Sequence, residues 1–421
     1  MQREVTLSVL TQVFLRIGLL SFGGPAAQIA LMHRTLVDER EWLTERQFLD
    51  ALGFCMLLPG PEAMQLATYA GWRLRGIPGG LIAGLLFVVP GALVIFALAT
   101  IYAVAGQVDL VQSLFMGIKA AVLIIVIQAL LKVAGRALTG LGHWVIAGLA
   151  FLGIFFLAVP FPLIVLAAGL WGLATSGAPD RTPAPVAVRP SATLSVFGIG
   201  LALWLLPLVG LSFWGGWPIL GDIGAFFARL AAVTFGGAYA VLAYMAQDVV
   251  TGQGWITAGQ MMDGLGLAET TPGPLILVTQ FVGFLAGYGA GGMGLAWAAA
   301  LVTLWATFVP CFVWIFAGAP YIDWIARQPR LKGALAAITA AVVGVILNLS
   351  LWFALHVAFA TVTRETIGPL TLWVPEWATL DLRVLAISVL AAVMLLRLRL
   401  GLGWVLAASA LAGWALVALG A

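Results

Sequence analysis

The stretches FLRIGLLSFGGPAAQIALM (residues 14–32) and FARLAAVTFGGAYAVLAYM (residues 227–245) are two copies of one pattern. Phe14 and Arg16 fall on Phe227 and Arg229, and Phe22, Gly23 and Gly24 fall on Phe235, Gly236 and Gly237, at an offset of 213 (227 minus 14). Working outward, the same offset carries Trp42 onto Trp255, Thr44 onto Thr257, Gln47 onto Gln260 and Asp50 onto Asp263. It also carries Pro59-Gly60-Pro61 onto Pro272-Gly273-Pro274. Beyond a seven-residue insertion the offset becomes 220, with Pro90 on Pro310, Ala120-Ala121-Val122 on Ala340-Ala341-Val342, and Gln128 on Asn348. A fixed internal period marks a duplication, so two homologous halves are fused in one chain.

The surroundings of the repeat are apolar. Of the 421 residues 62% are hydrophobic and 9% charged, against about 25% charged in a soluble domain. Runs of membrane-spanning length, about 20 residues, recur from end to end. They are apolar on every side, whereas a transmembrane barrel alternates apolar and polar residues over about ten positions. The expected class is therefore an all-α integral membrane protein. Net charge is +3, from 20 Lys+Arg and 17 Asp+Glu, without the basic cluster that nucleic-acid binding needs. Cys55 and Cys311 lie inside apolar runs and read as small core residues. His33, His143 and His356 lack metal-ligand spacing, no hydroxyl nucleophile motif is present, and neither a cofactor nor an enzyme activity is expected.

The polar, Pro-rich segment TSGAPDRTPAPVAVRPSA separates the halves. The expected organisation is a first half at 1–175, a linker at 176–192, an unmatched span at 193–213 and a second half at 214–421. Six apolar runs in each half and the unmatched one make about 13 spans. Six spans return the chain to its starting side, so the extra span starts the second half from the opposite side and the repeats are inverted. Lys and Arg of the loops on the N-terminal side, Arg73, Arg75, Lys132, Arg136, Arg330 and Lys332 among them, outnumber those opposite (Arg34, Arg40, Arg46, Arg364, Arg383). That places the N-terminus in the cytoplasm.

Inverted repeats with helices broken in matching places are the design of secondary transporters, whose sites lie at the repeat interface. Each PGP interrupts an apolar run because proline lacks an N–H and clashes with the preceding turn. A helix restarting after Pro61 or Pro274 would offer unpaired N–H groups to an anion; the other reading is a packing kink. The FGG pair is a second duplicated weak point, either a break or a small-residue packing face. Arg16 and Arg229 lie about ten residues, or about 15 Å, into their runs. An arginine at the membrane centre costs roughly 2.5–3.5 kcal/mol on insertion scales, which a bound dianion or an internal acid would offset. Lys119 is as deep, but its repeat partner is Thr339. Substrate binding is thus assigned to Arg16, Phe22, Gly23, Gly24, Pro59, Gly60, Pro61, Lys119, Arg229, Phe235, Gly236, Gly237, Pro272, Gly273 and Pro274. Asp50, Asp263, Glu62 and Glu269 are the coupling candidates, either proton relays or fixed counter-charges.

At FGGP, LPGPE and TPGP, the chain resembles the chromate ion transporter family in its long form with two fused domains. The matching stretches are residues 14–32, LLPGPEAMQLATYAGW (57–72), GGLIAGLLFVVPG (79–91), VTFGGAYAVLAYMAQ (233–247) and DGLGLAETTPGPLILVTQFVGF (263–284). The resemblance implies a multi-pass protein of the bacterial inner membrane that exports chromate, with chromate resistance as the physiological expectation. Sulfate or another oxyanion is the alternative substrate, and a membrane-embedded enzyme a remote one. Expected partners are the oxyanion, the lipid bilayer and, as an open option, a second copy in a homodimer.

Overall fold

The computed structural model describes residues 5–106, 108–177, 190–213, 216–233, 235, 237–325 and 328–419. Its helices, in chain order, are α1 (Leu7–Leu20), α2 (Gly24–His33), α3 (Glu45–Cys55), α4 (Glu62–Ala105), α5 (Asp109–Ala137), α6 (Leu141–Phe155), α7 (Phe161–Thr175) and α8 (Pro190–Phe213). They continue as α9 (Pro218–Val233), α10 (Ala238–Gln247), α11 (Ala258–Thr270), α12 (Val278–Gly318), α13 (Ile322–Ile325) and α14 (Pro329–Ala358). A hairpin of β1 (Val362–Ile367) and β2 (Leu370–Pro375) precedes α15 (Leu382–Ala392) and α16 (Leu402–Ala418). Among the described residues, five apolar helical stretches are long enough to cross a bilayer: residues 62–105, 109–137, 191–213, 275–321 and 329–358. The protein is a helical membrane protein.

The repeat is visible in the backbone bond by bond. Phe22 N–H donates to Leu20 O at 2.9 Å and Phe235 N–H to Val233 O at 3.0 Å; Trp42 N–H donates to Leu36 O at 2.8 Å and Trp255 N–H to Val249 O at 2.9 Å. Thr44 and Gln47 form a reciprocal cap on α3, each side chain accepting the other's backbone N–H. Thr257 and Gln260 do the same for α11. Such caps satisfy N–H groups that the first turn leaves bare. Both FGG segments break their helices: α1 ends before Phe22 and α2 starts at Gly24, while α9 ends at Val233 and α10 starts at Ala238. The second copy breaks without a proline.

At 44 residues, a straight α4 would measure about 66 Å, twice the hydrocarbon core of about 30 Å. It turns back instead. Arg75 and Gly76 leave the helical region, Gly76 with φ +64°, and Gly71 then packs against Gly79 and Ala83. In α12 the same turn falls at Gly291 and Gly292, with φ +77° at Gly292, and Gly283 packs against Ala299 and Thr303. Small residues allow this close approach of the two arms. The turns are 216 residues apart (292 minus 76), between offsets 213 and 220, so the insertion is split into three residues before the turn and four after.

The chain forms two compact units that both draw on each half of the sequence: residues 1–99, 176–238 and 271–332, and residues 100–175, 239–270 and 333–421. In the first, α8, α9 and α12 pack together, with Trp204 Nε1 donating to Ala306 O at 3.0 Å and Trp305 Nε1 to Trp204 O at 3.2 Å. In the second, α5 runs through the middle. Gly117 seats on Ser409 of α16, Ala120 on Val384 and Ile387 of α15, and Gly266 of α11 on Ile118 and Val122.

One short hairpin accompanies the helices. Val362 pairs with Pro375 and Ile367 with Leu370 around Gly368 at φ +60°. Thr371 N–H donates to Phe156 O at 2.7 Å, and Trp373 meets Trp352 and His356 edge-on. Its β-branched residues around Gly368-Pro369 are strand and turn formers, but polar residues outside a spanning run carry no helix-period signal.

Candidate functional site

In the first unit the broken segments of one half meet those of the other. Gly273 N–H donates to Ser21 O at 2.9 Å. Gln28 Nε2 donates to Gly273 O at 2.7 Å and to Ser21 O at 3.3 Å. The end of α1 and the start of α2 therefore clasp the second PGP, whose three residues are buried. A side chain at Gly91 would collide with Pro272 O, so Pro90-Gly91 of the first half closes over it. The reciprocal arrangement is also present. A Cβ at Gly60 would come within 2.8 Å of Cys311 Sγ, and one at Gly237 within 3.7 Å of Glu62 Oε1. Cys311 is the repeat equivalent of Gly91 (91 plus 220). Gly23, Gly60, Gly237 and Gly273 all have positive φ, +85°, +124°, +96° and +88°, a region other residues enter only with strain.

The backbone at these breaks is less open than the proline pattern suggests. Gly273 has both its N–H and its carbonyl occupied, and the first turn of α4 carries Glu62, a favourable partner for the positive end of the helix. Gln65 Nε2 donates to Pro59 O at 2.7 Å, and Gln280 Nε2 donates to Ala92 O at 3.0 Å. The Oε1 atoms of Gln28, Gln65 and Gln280 are buried without a hydrogen-bond partner. These glutamines and Ser21 are absent from the sequence-based site. For Gln28 and Gln65 the signal is a carboxamide four residues after a break, after Gly24 and Pro61.

Arg16 and Arg229 are exposed. The buried face of α1 is Leu10, Val13, Phe14, Ile17 and Gly18. Arg16 shares the other face with Leu15, Leu19 and Leu20 and lines a shallow depression with Arg34 and Glu39. Arg229 Nε donates to Ala225 O at 3.3 Å. Phe22 is half-exposed, Gly24, Phe235 and Gly237 are partly buried, and Gly236 lies outside the described residues.

The second unit gathers two of the acids. Asp263, 3% exposed, accepts from Tyr102 Oη at 2.7 Å and ion-pairs with Lys119 Nζ at 3.4 Å, both through Oδ2. Glu269, buried on the same helix, accepts from Tyr239 Oη at 2.8 Å. The phenols were not legible as acid partners, because each is far from its carboxylate in sequence or across a helix break. Asp50 differs: it lies 3.6 Å from Arg46, one turn earlier on α3. Cys55 and Cys311 are free and buried. Among the described residues no cluster of His, Cys, Asp and Glu gathers to hold a metal ion.

Against known proteins, a model of the family described as "Chromate transporter" matches residues 9–173 and 221–414. A "Chromate transport protein" of Pseudomonas aeruginosa is 32% identical over 412 residues, 95% of this chain and 90% of the relative. One of Cupriavidus metallidurans is 31% identical over 360 residues, 81% of each chain. An "Uncharacterized transporter YwrA" of Bacillus subtilis is 29% identical over 167 residues, covering 39% of this chain and 93% of the relative. No solved structure matches the chain.

Proposed function

The chain belongs to the chromate transporter family, and from that premise we propose that it is a secondary transporter exporting chromate across the bacterial inner membrane. The observation that carries this reading is the reciprocal crossing of broken helices. Ser21 and Gln28 of the first half hold Gly273 of the second, and Gly237 of the second faces Glu62 of the first. Breaks of this kind form transporter sites at a repeat interface. Groups bound to one another across the halves must move together or part, which is the mechanical need of alternating access.

The two halves, 1–175 and 214–421, are read as inverted repeats of about 13 spans in all. Support comes from the family match in two separate regions, from a relative about as long as one half, and from the fold-back turns at Gly76 and Gly292, each of which adds a crossing per half. Superposing the halves by a rotation about an axis in the membrane plane supports the inversion; an axis along the membrane normal ends it.

The FGG and PGP segments, with Lys119, Arg16 and Arg229, are the proposed substrate-binding set, and Asp50, Asp263, Glu62 and Glu269 the coupling set. Sulfate is the second substrate reading, because it is a tetrahedral dianion of similar size that meets the same donors. Uptake of labelled chromate and sulfate into proteoliposomes under imposed pH and voltage gradients tests both. Saturable chromate flux that sulfate fails to compete away fits a chromate carrier; sulfate flux at equal rate broadens it to oxyanions; absence of flux for either rejects the transport reading.

A further inference from the structure

We propose that Lys119 is an oxyanion-binding group that Asp263 occupies in the empty protein, and that the anion takes Lys119 only as Asp263 takes up a proton. The inference rests on the oxyanion-transport reading and gives that reading a coupling site. Its basis is the geometry of one ion pair in the second unit, formed between α5 of the first half and α11 of the second.

The pair is unequal. The Asp263 side chain is 5% exposed and that of Lys119 28%, so the contact is closed on the acid's side and open on the ammonium's. Tyr102 and Lys119 both meet the carboxylate on Oδ2, while Oδ1 is buried with no partner. A charged carboxylate with one bare oxygen in a buried site is under-satisfied, whereas the neutral acid asks for fewer donors. Lys119 has three N–H groups. Beside it α11 carries Gly259, where a Cβ would stand 3.2 Å from Nζ. The missing side chain leaves the ammonium approachable from that face.

A dianion arriving at Nζ would meet a carboxylate 3.4 Å behind it. Two anionic groups that compete for one ammonium disfavour one another's ionised form. Protonation of Asp263 resolves the conflict: a proton from water joins the carboxylate, the Lys119–Asp263 ion pair parts, and a Lys119–oxyanion pair replaces it. Charge around the site is then set by Lys119, the anion and its neighbours. Tyr102 faces Asp263 from the end of α4. Glu269, with Tyr239 at its carboxylate, lies further along α11, and Lys132 of α5 acts on Glu269 electrostatically. The packed face of α16 brings no charged residue, and on α15, which packs on α5 at Ala120, Arg383 is engaged by Asp381 at 2.9 Å. Position 339, the repeat equivalent of Lys119, is a threonine, so the site is single-copy.

The test is proton uptake by the full-length protein in weakly buffered detergent solution. Chromate is added at mildly alkaline pH, where it is a dianion, and a pH dye is read beside the binding isotherm. The expected result is about one proton taken up per chromate bound and an affinity that weakens about tenfold per pH unit. Asp263→Asn should bind chromate with no proton uptake and with pH-independent affinity, and Lys119→Gln should lose at least about tenfold in affinity. Gly259→Val should weaken binding without changing the proton count. Wild-type binding without proton uptake overturns the inference and leaves the transport reading intact. Failure of the folded wild-type protein to bind chromate overturns both.

Discussion

Residues 44–61 and 257–274 hold the same place in the two halves, and comparing them separates what duplication preserves from what it leaves free. Both open on a Thr–Gln reciprocal cap, run through a helix and end at PGP. The backbones agree; the surroundings do not. Gly53 of α3 has nothing within 4 Å of where its Cβ would be, whereas at the equivalent Gly266 of α11 a Cβ would overlap Ile118 of α5. That close approach sets Lys119 against Asp263. In the first half Asp50 is left with Arg46, whose side chain is 83% exposed. One glycine is used for contact and its copy is not, and the two equivalent acids diverge accordingly.

The sharpest way to break the comparison is to remove both acids in turn. Asp263→Ala leaves a partly buried ammonium without its partner, a change that costs about 3 kcal/mol at the lower end of the buried-pair range. Asp50→Ala removes an exposed pair worth at most about 1 kcal/mol. Unfolding in detergent should show that gap, and Asp263→Ala combined with Lys119→Met should recover part of the loss. Equal effects at both positions would mean the environments are alike.

A smaller difference is expected at the glycines. Gly266→Val forces α11 away from α5 and should destabilise by about 1–3 kcal/mol, the usual range for overpacking. Gly53→Val should stay within about 0.5 kcal/mol. The caps sharpen the comparison from the other side, since Thr44→Ala and Thr257→Ala should each lose about 1 kcal/mol, equally, because the local geometry is the same.

The smallest effect is in pH. His33 Nε2 lies 2.6 Å from Glu45 Oε2 and Nδ1 lies 3.4 Å from Asp38 Oδ2. The hydrogen bond to Glu45, with the nearby negative charges, holds the imidazole pKa above its ordinary value of 6.5. A raised folded-state pKa gives stability that is complete below about 6.5 and is lost as pH rises through the folded value. The second half has Ala246 and Ala258 at the positions of His33 and Glu45. His33→Gln should therefore flatten the stability profile between neutral and mildly acidic pH, which thermal melts across that range will read.

The duplication, the helical membrane class and the breaks at FGG and PGP are legible in sequence because each follows from local chemistry: apolar run length, proline's missing donor, glycine's freedom. The face that a residue presents is less so. Depth along α1 placed Arg16 near mid-membrane, but the pattern Leu10, Phe14, Ile17 already marks the opposite side as the packed one. Pairings over long separations, such as Lys119 with Asp263, depend on which helices pack and leave no local trace. The hairpin at 362–375 is not legible for a related reason: its strands are held by each other and by Phe156, not by a periodic apolar face.

The 3.4 Å contact between Lys119 and Asp263 also bears on how steep a gradient the protein can sustain. A dianion leaving a cell-negative interior by itself is driven by about 4.6 kcal/mol per 100 mV, twice the single-charge value of about 2.3. At about 1.36 kcal/mol per factor of ten, that holds a gradient of more than a thousandfold. With a proton aboard the departing load carries one negative charge, and the same 100 mV holds only about fiftyfold. Each unit by which the outside is more acidic removes another factor of ten. Under the proposed coupling, an acid that must be neutral before the anion can bind would turn a strongly voltage-driven efflux into a weaker one that slows as the surroundings acidify.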